Sequence, residues 1–134
     1  MRQTQFKELM IFSAERGELT IRENRDRTRN LKQCLDDLNI AYSSGLGSYK
    51  GNLEMVILVV PRDINDIQAI MGLCFDNFDQ DSILHRNKTG GVKIVTRDGA
   101  TISSGAIKEV SKERAYANDY YTLFNDKYYV SGVV

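Results

Sequence analysis

Residues 55–60 are an unbroken apolar run, MVILVV, which ends at Pro61. A short apolar run bounded by turn residues is typical of a buried strand, and proline closes a strand because it cannot donate to the ladder. We therefore predict a strand over residues 52–61. Glu54 enters this strand directly before the run. Because a carboxylate beside buried apolar side chains costs free energy unless it has a partner, Glu54 is the first candidate for a functional residue.

The elements before this strand are predicted from hydrophobic spacing. Residues 6–14 carry four apolar side chains in succession at positions 9–12, as in a strand that is buried on both faces. Residues 21–39 repeat apolar side chains at helical spacing, and Thr20 with Glu23 three positions later fits a capping box. Residues 40–48 are predicted to be extended and to form a hairpin with the strand described above.

The following segments complete an alternating order of strands and helices. Asp63 is predicted to cap a helix whose apolar face continues to Phe78, and residues 81–85 to return as a strand. The order strand, helix, strand, strand, helix, strand predicts an α+β fold with a ferredoxin-like split βαβ core, in which both helices pack on one face of an antiparallel sheet. Residues 111–118 are predicted to be a loop or a single helical turn. Turn dipeptides beyond the core predict C-terminal β-hairpins: Gly90-Gly91, Asp98-Gly99 and Asn125-Asp126.

Length and composition limit the classes of protein. The 134 residues are long enough for one domain, which we assign to residues 1–134. Lys plus Arg and Asp plus Glu both number 18, so no general positive field favours nucleic acid as a partner. Cys34 and Cys74 fall at apolar positions of predicted helices, as expected for buried thiols in a reducing cytoplasm. No signal-peptide pattern or membrane-spanning run is present, so we expect a soluble cytoplasmic protein with no membrane partner.

The sequence pattern argues against several common kinds of active site. His85 is the only histidine and has no metal-ligand spacing around it, so we predict no metal site. A serine triad is not expected because no nucleophile elbow surrounds this single base. The segment GLGSYKG precedes a strand and lacks the ending of a P-loop, and we interpret it as a hairpin turn that needs no ligand.

The tyrosines divide into two groups by position. Tyr42 and Tyr49 lie beside the strand that carries Glu54, where an aromatic face and a carboxylate would suit a small cationic or heterocyclic ligand. The residues alone therefore predict a ligand-binding ferredoxin-like domain. A second group suits cross-strand pairing in the last hairpin: Tyr120, Tyr121, Tyr128 and Tyr129.

The charged residues 22–29, RENRDRTR, lie at the start of the first predicted helix. They fit a solvated helix face with local ion pairs to Glu23 and Asp26. The alternative is that Arg27 or Arg29 reaches a carboxylate at a subunit interface.

Several short motifs occur in one order along most of the chain. They are FSAERG at residues 12–17, the series Asn24, Arg27 and Arg29, the step from Gly51 to Glu54, FDQDSIL at residues 78–84, and GAIKEV at residues 105–110 followed by YTLFNDKYYV. In this order and approximate spacing the sequence resembles the bacteriophage-encoded S-adenosylmethionine lyases, formerly called S-adenosylmethionine hydrolases.

The resemblance implies a small cytoplasmic enzyme that needs no cofactor and forms a PII-like homotrimer with sites between subunits. Enzymes of this family cleave S-adenosylmethionine without water. The carboxylate of the substrate attacks its own γ-carbon, which expels 5′-methylthioadenosine and leaves L-homoserine lactone. In a phage, this reaction depletes S-adenosylmethionine in the host cytoplasm and opposes restriction.

The resemblance also implies roles for individual residues. Glu54 matches the essential glutamate of the family and would hold either the ribose hydroxyls or the cationic end of the substrate. Ser13 would supply a hydroxyl or backbone contact, and Gln80 would read the adenine edge from the neighbouring subunit. Tyr42, or else Tyr49, would line the pocket.

Two other classes of function are compatible with the sequence. A non-catalytic PII-like sensor shares the predicted core and would bind an adenine nucleotide without changing it. Such sensors usually carry a long loop, whereas the connection between the second and third predicted strands is short here. The third class is an interaction protein, such as a phage inhibitor that contacts a host enzyme directly.

Overall fold

The computed structural model describes residues 6–49 and 51–131, which form nine strands and three α-helices. The first elements are β1 (Leu9–Phe12), α1 (Ile21–Asp37), β2 (Ser43–Tyr49), β3 (Asn52–Val59), α2 (Ile64–Gly72) and β4 (Ser82–Arg86). A π-helical turn, Leu73–Asn77, extends α2. The remaining elements are β5 (Val92–Thr96), β6 (Thr101–Gly105), β7 (Ile107–Val110), α3 (Lys112–Tyr116), β8 (Tyr121–Phe124) and β9 (Lys127–Ser131).

All nine strands belong to one sheet in the order β6-β5-β4-β1-β3-β2-β8-β9-β7. Every neighbouring pair is antiparallel. The helix α1 connects β1 to β2, and α2 connects β3 to β4, so each helix joins strands that are not neighbours in the sheet. The chain therefore has an α+β fold, as the sequence predicted.

The main core lies between one face of the sheet and the helices α1 and α2. Successive residues of a strand face opposite sides, so alternate positions supply the core. Met10 of β1 and Ile57 of β3 are buried together with Leu35 of α1 and Ile70 of α2. Removing a side chain of this size from water contributes about 1.5 to 3 kcal/mol, which is why the apolar stripes of both helices settle on this face.

The predicted helix starts are confirmed. The Oγ1 atom of Thr20 accepts a hydrogen bond from the backbone N–H of Glu23 at 3.1 Å, and the Glu23 carboxylate accepts from the N–H of Thr20 at 3.2 Å. These reciprocal bonds form the capping box. Asp63 caps α2 by accepting from the N–H of Asp66 at 3.1 Å. Each cap satisfies helix N–H groups that have no partner within the helix.

The opposite face of the sheet curls into a cavity, and no residue of the described helices α1, α2 and α3 lines it. Ile102 of β6 and Ile107 of β7 come from strands near opposite edges of the sheet, yet both line this cavity. The alternation along β3 that sends Ile57 to the core sends Glu54 and Val56 to the cavity side. Within the described ranges, no helix is long and apolar enough to cross a membrane.

The glycine-rich segment differs from its prediction as a turn. Gly45 and Gly47 lie inside β2 and pair with Val56 and Glu54, so only the end of the segment, around Gly51, forms the turn. The turn was predicted too long because glycine signals a turn when it is judged locally, whereas the extended conformation predicted for residues 40–48 and the hairpin with the next strand are confirmed from Ser43 onward. In a sheet, glycine also permits the close approach of a neighbouring chain.

The C-terminal part confirms the predicted hairpin and helical turn. Asn125 and Asp126 have φ angles of 49° and 63° between β8 and β9, as expected for a two-residue hairpin turn. The segment 111–118 contains the one-turn helix α3. Tyr128 and Tyr129 lie directly opposite Leu123 and Thr122, and the ring of Tyr128 contacts the ring of Tyr121 across the hairpin. The predicted cross-strand pairing is thus confirmed for Tyr121 and Tyr128.

Both cysteines are free thiols on the helical side of the molecule. Cys74 is buried in the core, and Cys34 on α1 is half-buried. Burial raises the pKa of the Cys74 thiol to about 12, because a thiolate loses its hydration in an apolar environment. The Cys74 thiol is thus kept protonated and inert at neutral pH.

Candidate functional site

The cavity on the face of the sheet opposite α1 and α2 has a volume of about 690 Å³. A volume of this size falls in the range of small-molecule sites. Three of the residues that the sequence singled out line it in one chain: Ser13, Glu54 and Gln80. They come from the end of β1, from β3 and from the turn before β4, so the antiparallel order of these strands brings them together.

Glu54 is half-buried and faces the cavity. Its pKa is raised to about 7, first by burial and then by the negative charges of Glu15 and Asp81. Among the residues that the structure describes, none donates a hydrogen bond to the Glu54 carboxylate. The carboxylate is therefore costly to ionise in the empty site and available to a cationic or hydrogen-bond-donating ligand.

A glycine lies opposite Glu54 in the sheet. Gly47 pairs with Glu54 on one side and with Thr122 on the other, and Thr122 pairs with Tyr129. Residues directly opposite each other in antiparallel strands share a face, so this row runs across the cavity floor. A Cβ atom on Gly47 would lie 2.7 Å from Cγ1 of Val56, and glycine is therefore required for the sheet to pack as closely as it does here.

Ser13 lies just beyond β1 and its hydroxyl is committed to the protein. The Oγ atom donates to the carbonyl of Met55 at 2.8 Å and accepts from the N–H of Glu15 at 3.0 Å. Because a serine hydroxyl has a single hydrogen, it has no second hydrogen to donate to a ligand. Ser13 can still accept a hydrogen bond.

Gln80 is buried at the edge of the cavity, and its amide is held from both sides. The Nε2 atom donates to the carbonyls of Glu15 and Phe78, each at 3.1 Å. The backbone carbonyl of Gln80 accepts a hydrogen bond from the Arg97 guanidinium at 3.2 Å. Both amide hydrogens are thus used within the chain, which leaves the side-chain oxygen to accept from a ligand.

The tyrosines are arranged differently from their predicted positions. Tyr42 packs against the helical core and is absent from the cavity lining. Tyr49 ends β2, and its side chain lies outside the described part of the chain. Tyr129, which was predicted to be structural, lines the cavity, and Tyr121 borders it while its ring packs against Tyr116 and Tyr128. Sequence reasoning missed them because the contact depends on β8 pairing with the distant β2.

The first-helix arginines are engaged within the chain. Arg27 donates through Nε to the carbonyl of Ala14 at 2.6 Å and through its terminal nitrogen to the carbonyl of Phe78. Arg29 forms an ion pair with Asp26 at 3.0 Å. Arg29 therefore fits the prediction of local ion pairs on a solvated helix face. Arg27 instead connects α1 to the segments after β1 and before β4.

Within the described part of the chain, the side chains that could ligate a metal ion do not form a binding set. In residues 6–49 and 51–131, no cluster of three or more His, Cys, Asp or Glu side chains has the geometry to hold a metal ion. His85, predicted as ordinary strand surface, is half-buried and lies 2.8 Å from a carboxylate oxygen of Glu8. The cavity itself offers carboxylates, hydroxyls and amides, which are groups that bind and orient a polar ligand.

Sequence comparison gives one finding on the family. The family model described as the S-adenosylmethionine lyase family matches residues 10–131. This range begins in β1 and ends in β9, so it includes every strand and helix of the described structure. No curated protein matches the chain closely enough to count as a relative.

Proposed function

This chain belongs to the S-adenosylmethionine lyase family, and from that premise we propose how its cavity performs the cleavage of S-adenosylmethionine. The protein is an enzyme of the lyase class, since the family model spans nearly the whole chain. The products, the residue roles and the assembly described below are our proposals.

The reaction we propose is an intramolecular displacement. An oxygen of the substrate carboxylate forms a bond to the γ-carbon while the bond from that carbon to sulfur breaks, and the bonding electrons leave with the sulfur. The sulfonium becomes the neutral thioether of 5′-methylthioadenosine, and the remaining fragment closes to L-homoserine lactone. The step consumes no water and transfers no proton.

For such a reaction the main task of the protein is to hold the substrate in a reactive conformation. Holding two reacting groups of one molecule in a near-attack arrangement can supply about 7 to 11 kcal/mol of barrier lowering in favourable systems. A carboxylate, a hydroxyl and a fixed amide around one cavity suit that task. Ser13, Glu54 and Gln80 are held on adjacent strands and their ends, which limits their motion relative to one another.

The observation that carries the proposal is the environment of Glu54. Its pKa is raised to about 7 by burial and by Glu15 and Asp81, so a bound cation is the partner that would favour its ionised form. The sulfonium loses its charge during the reaction, and a carboxylate beside it would stabilise the ground state more than the transition state. We therefore assign Glu54 to the substrate ammonium group, next to the attacking carboxylate.

Gln80 and Ser13 are proposed to bind other parts of the substrate. The free side-chain oxygen of Gln80 would accept from the amino group of the adenine, because the amide nitrogen is already engaged. Ser13 would accept a hydrogen bond through its hydroxyl oxygen. Tyr42 and Tyr49 remain proposals for an aromatic contact, and Tyr129 is a further aromatic side chain at the cavity.

We also propose that the central strands are a ferredoxin-like unit in a PII-like trimer. The partial order β4-β1-β3-β2, with helical crossovers after β1 and β3, supports the ferredoxin-like assignment. Exposed apolar side chains on β3, Leu53 at 61% and Met55 at 37%, support further burial in an assembly. The motif resemblance to phage enzymes supports a role against restriction in the host cytoplasm.

Product analysis tests the proposed reaction directly. The purified protein is incubated with S-adenosylmethionine in heavy-oxygen water, and the products are followed over time by mass spectrometry. We expect methylthioadenosine together with unlabelled lactone at early times, before the lactone itself hydrolyses. Heavy oxygen in the first product formed would contradict the intramolecular mechanism.

Substitution of Glu54 tests its role. Glu54→Gln keeps the size of the side chain and removes its charge, so we expect turnover to be lost while circular dichroism and solution mass stay as in the native protein. Glu113→Gln, the same chemical change on the exposed helix α3, should retain turnover. Normal turnover by Glu54→Gln would refute the assignment.

A further inference from the structure

We propose that Glu15 is a positioning residue, which fixes the backbone beside Glu54 and the amide of Gln80 in one arrangement. The inference rests on the proposed function, since it assigns Glu15 a role in holding the two side chains that we assign to the substrate. Glu15 was part of a sequence motif but had no predicted role.

On the side of β3 that faces β1, the backbone of Met55 is hydrogen-bonded to side chains and not to a neighbouring strand. The register between β1 and β3 ends at the pair Phe12 and Ile57, because the chain turns away after β1. Beyond that point the Met55 carbonyl accepts from Ser13 Oγ at 2.8 Å, and the Met55 N–H donates to Glu15 Oε1 at 3.2 Å. The two side chains thus extend the ladder to the residue that follows Glu54.

Glu15 forms four hydrogen bonds, through its two carboxylate oxygens, its N–H and its backbone carbonyl, and each bond reaches a different part of the site. Besides the bond to Met55, its second carboxylate oxygen accepts from the hydroxyl of Thr28 on α1 at 3.0 Å. Its N–H donates to Ser13 Oγ at 3.0 Å, and its carbonyl accepts from Gln80 Nε2 at 3.1 Å. One residue therefore connects β3, α1, the end of β1 and the turn that carries Gln80.

Glu15 also acts on Glu54 through its charge. The charged groups that line the cavity around Glu54 are Glu15, Arg16 and Glu18 after β1 and Asp81 before β4. Tyr120 and Tyr129 also line it, whereas the ring of Tyr121 packs against Tyr116 and Tyr128. Arg16 is engaged with Glu18 and with the Asp79 carboxylate. Of the two carboxylates that raise the pKa of Glu54, Glu15 is the one with the larger effect.

Kinetics of Glu15→Gln separate this role from a merely structural one. The amide has one acceptor oxygen, so it cannot accept from both the Met55 N–H and the Thr28 hydroxyl as the Glu15 carboxylate does, and it has no negative charge. We expect kcat to fall about tenfold or more from lost positioning and the acid limb of the kcat/KM profile to move to lower pH by several tenths of a unit, because Glu54 ionises more easily. Glu113→Gln is the matched control and should leave both unchanged.

Thr28→Val provides a second variant that keeps the Glu15 charge. It removes the tether to α1, so we expect a lower kcat with the acid limb in its native place. Thermal unfolding confirms that each variant is folded. A native kcat and pH profile in folded Glu15→Gln would overturn the inference, as would a native kcat in Thr28→Val if Glu15→Gln does not fold. Glu54→Gln is measured in the same assay to separate the two claims. If the Glu15 variants behave like the native protein and Glu54→Gln is inactive, only the role of Glu15 is wrong. If Glu54→Gln is also active, the proposed function is wrong.

Discussion

The negative charge of Glu54 lowers the stability of the fold, and in the proposed function the same charge binds the substrate ammonium group. Burial and two neighbouring carboxylates raise its pKa from 4.5 to about 7. The folded protein therefore holds a proton on Glu54 at pH values at which the unfolded chain has released it. Between these two pKa values, each increase in pH lowers the free energy of unfolding.

Stability measurements on Glu54→Gln test this cost. Because the folded pKa is the higher one, we expect the native protein to lose stability as pH rises from about 4.5 to about 7, whereas the variant does not titrate there. The variant should be more stable than the native protein by about 1 to 3 kcal/mol at pH 8 and nearly equal to it at pH 4. Urea unfolding at both pH values provides the measurement, with Glu113→Gln as the charge-matched control. A gain that is the same at both pH values would show that the Glu54 charge is not its source.

The pH dependence of catalysis should report the same group. If ionised Glu54 binds the substrate ammonium, kcat/KM rises with pH and reaches half of its plateau near pH 7, the value to which its pKa is raised. The profile is measured with the native protein at constant ionic strength. A flat profile between pH 5 and 8 would mean that substrate binding does not depend on this ionisation.

At the scale of single elements, β2 and β3 determine the shape of the cavity floor. Gly45 and Gly47 let the backbone of β2 lie close to side chains of β3 and to the backbone of β8. Cβ atoms at these positions would meet the Leu123 carbonyl at 2.8 Å and Val56 Cγ1 at 2.7 Å. The glycines are therefore a packing requirement of the sheet beside Glu54.

Gly47→Ala tests that requirement. The new methyl group overlaps Val56, whose branched side chain cannot turn away easily, so we expect a loss of about 1 to 3 kcal/mol in the free energy of unfolding. The catalytic efficiency should fall as well, since the methyl group displaces Glu54 or Val56. Gly72→Ala is a suitable control because, apart from its chain neighbours and the backbone of its own helix, no atom lies within 4 Å of the added carbon.

A second change distinguishes overlap from a general effect of alanine. Val56→Ala in the Gly47→Ala background removes the overlapping carbon, and we expect the double variant to recover part of the lost efficiency. Additive losses in the double variant would instead show that the two positions do not interact.

The elements that local sequence defines were predicted well, and those that depend on distant pairing were not. The caps at Thr20 and Asp63 need only a side chain and the next helical turn, and both are confirmed. The pairing of Leu46 in β2 with Leu123 in β8 joins segments far apart in sequence. No hydrophobic period encodes such a contact, so the presence of Tyr129 in the cavity could not be predicted.

The same distinction holds for the candidate site. Glu54 was recognisable because a carboxylate beside an apolar strand is unusual. Glu15 carries no such signal, since three of its four partners, Thr28, Met55 and Gln80, lie on other elements and only the fold brings them together. The sequence therefore identified Glu54 from its unfavourable environment but gave no indication of Glu15, which we propose positions the backbone beside Glu54.

At the scale of the whole molecule, the curl of the sheet places one chain's Glu54 and Gln80 in a single cavity. The resemblance to the family implied that Gln80 acts from a neighbouring subunit. These two arrangements make opposite predictions for a mixed assembly, whatever the number of subunits in it.

Mixing two inactive variants distinguishes them. Glu54→Gln and Gln80→Ala subunits are dissociated, combined in equal amounts and reassembled, and the solution mass is measured by light scattering against the trimer that we propose. Because both side chains line the cavity of one chain, every site in the mixture carries one substitution, and we expect no recovery of turnover. Native subunits mixed with Glu54→Gln subunits show that reassembly preserves active sites. Recovered turnover in the first mixture would show that Glu54 and Gln80 meet across a subunit interface.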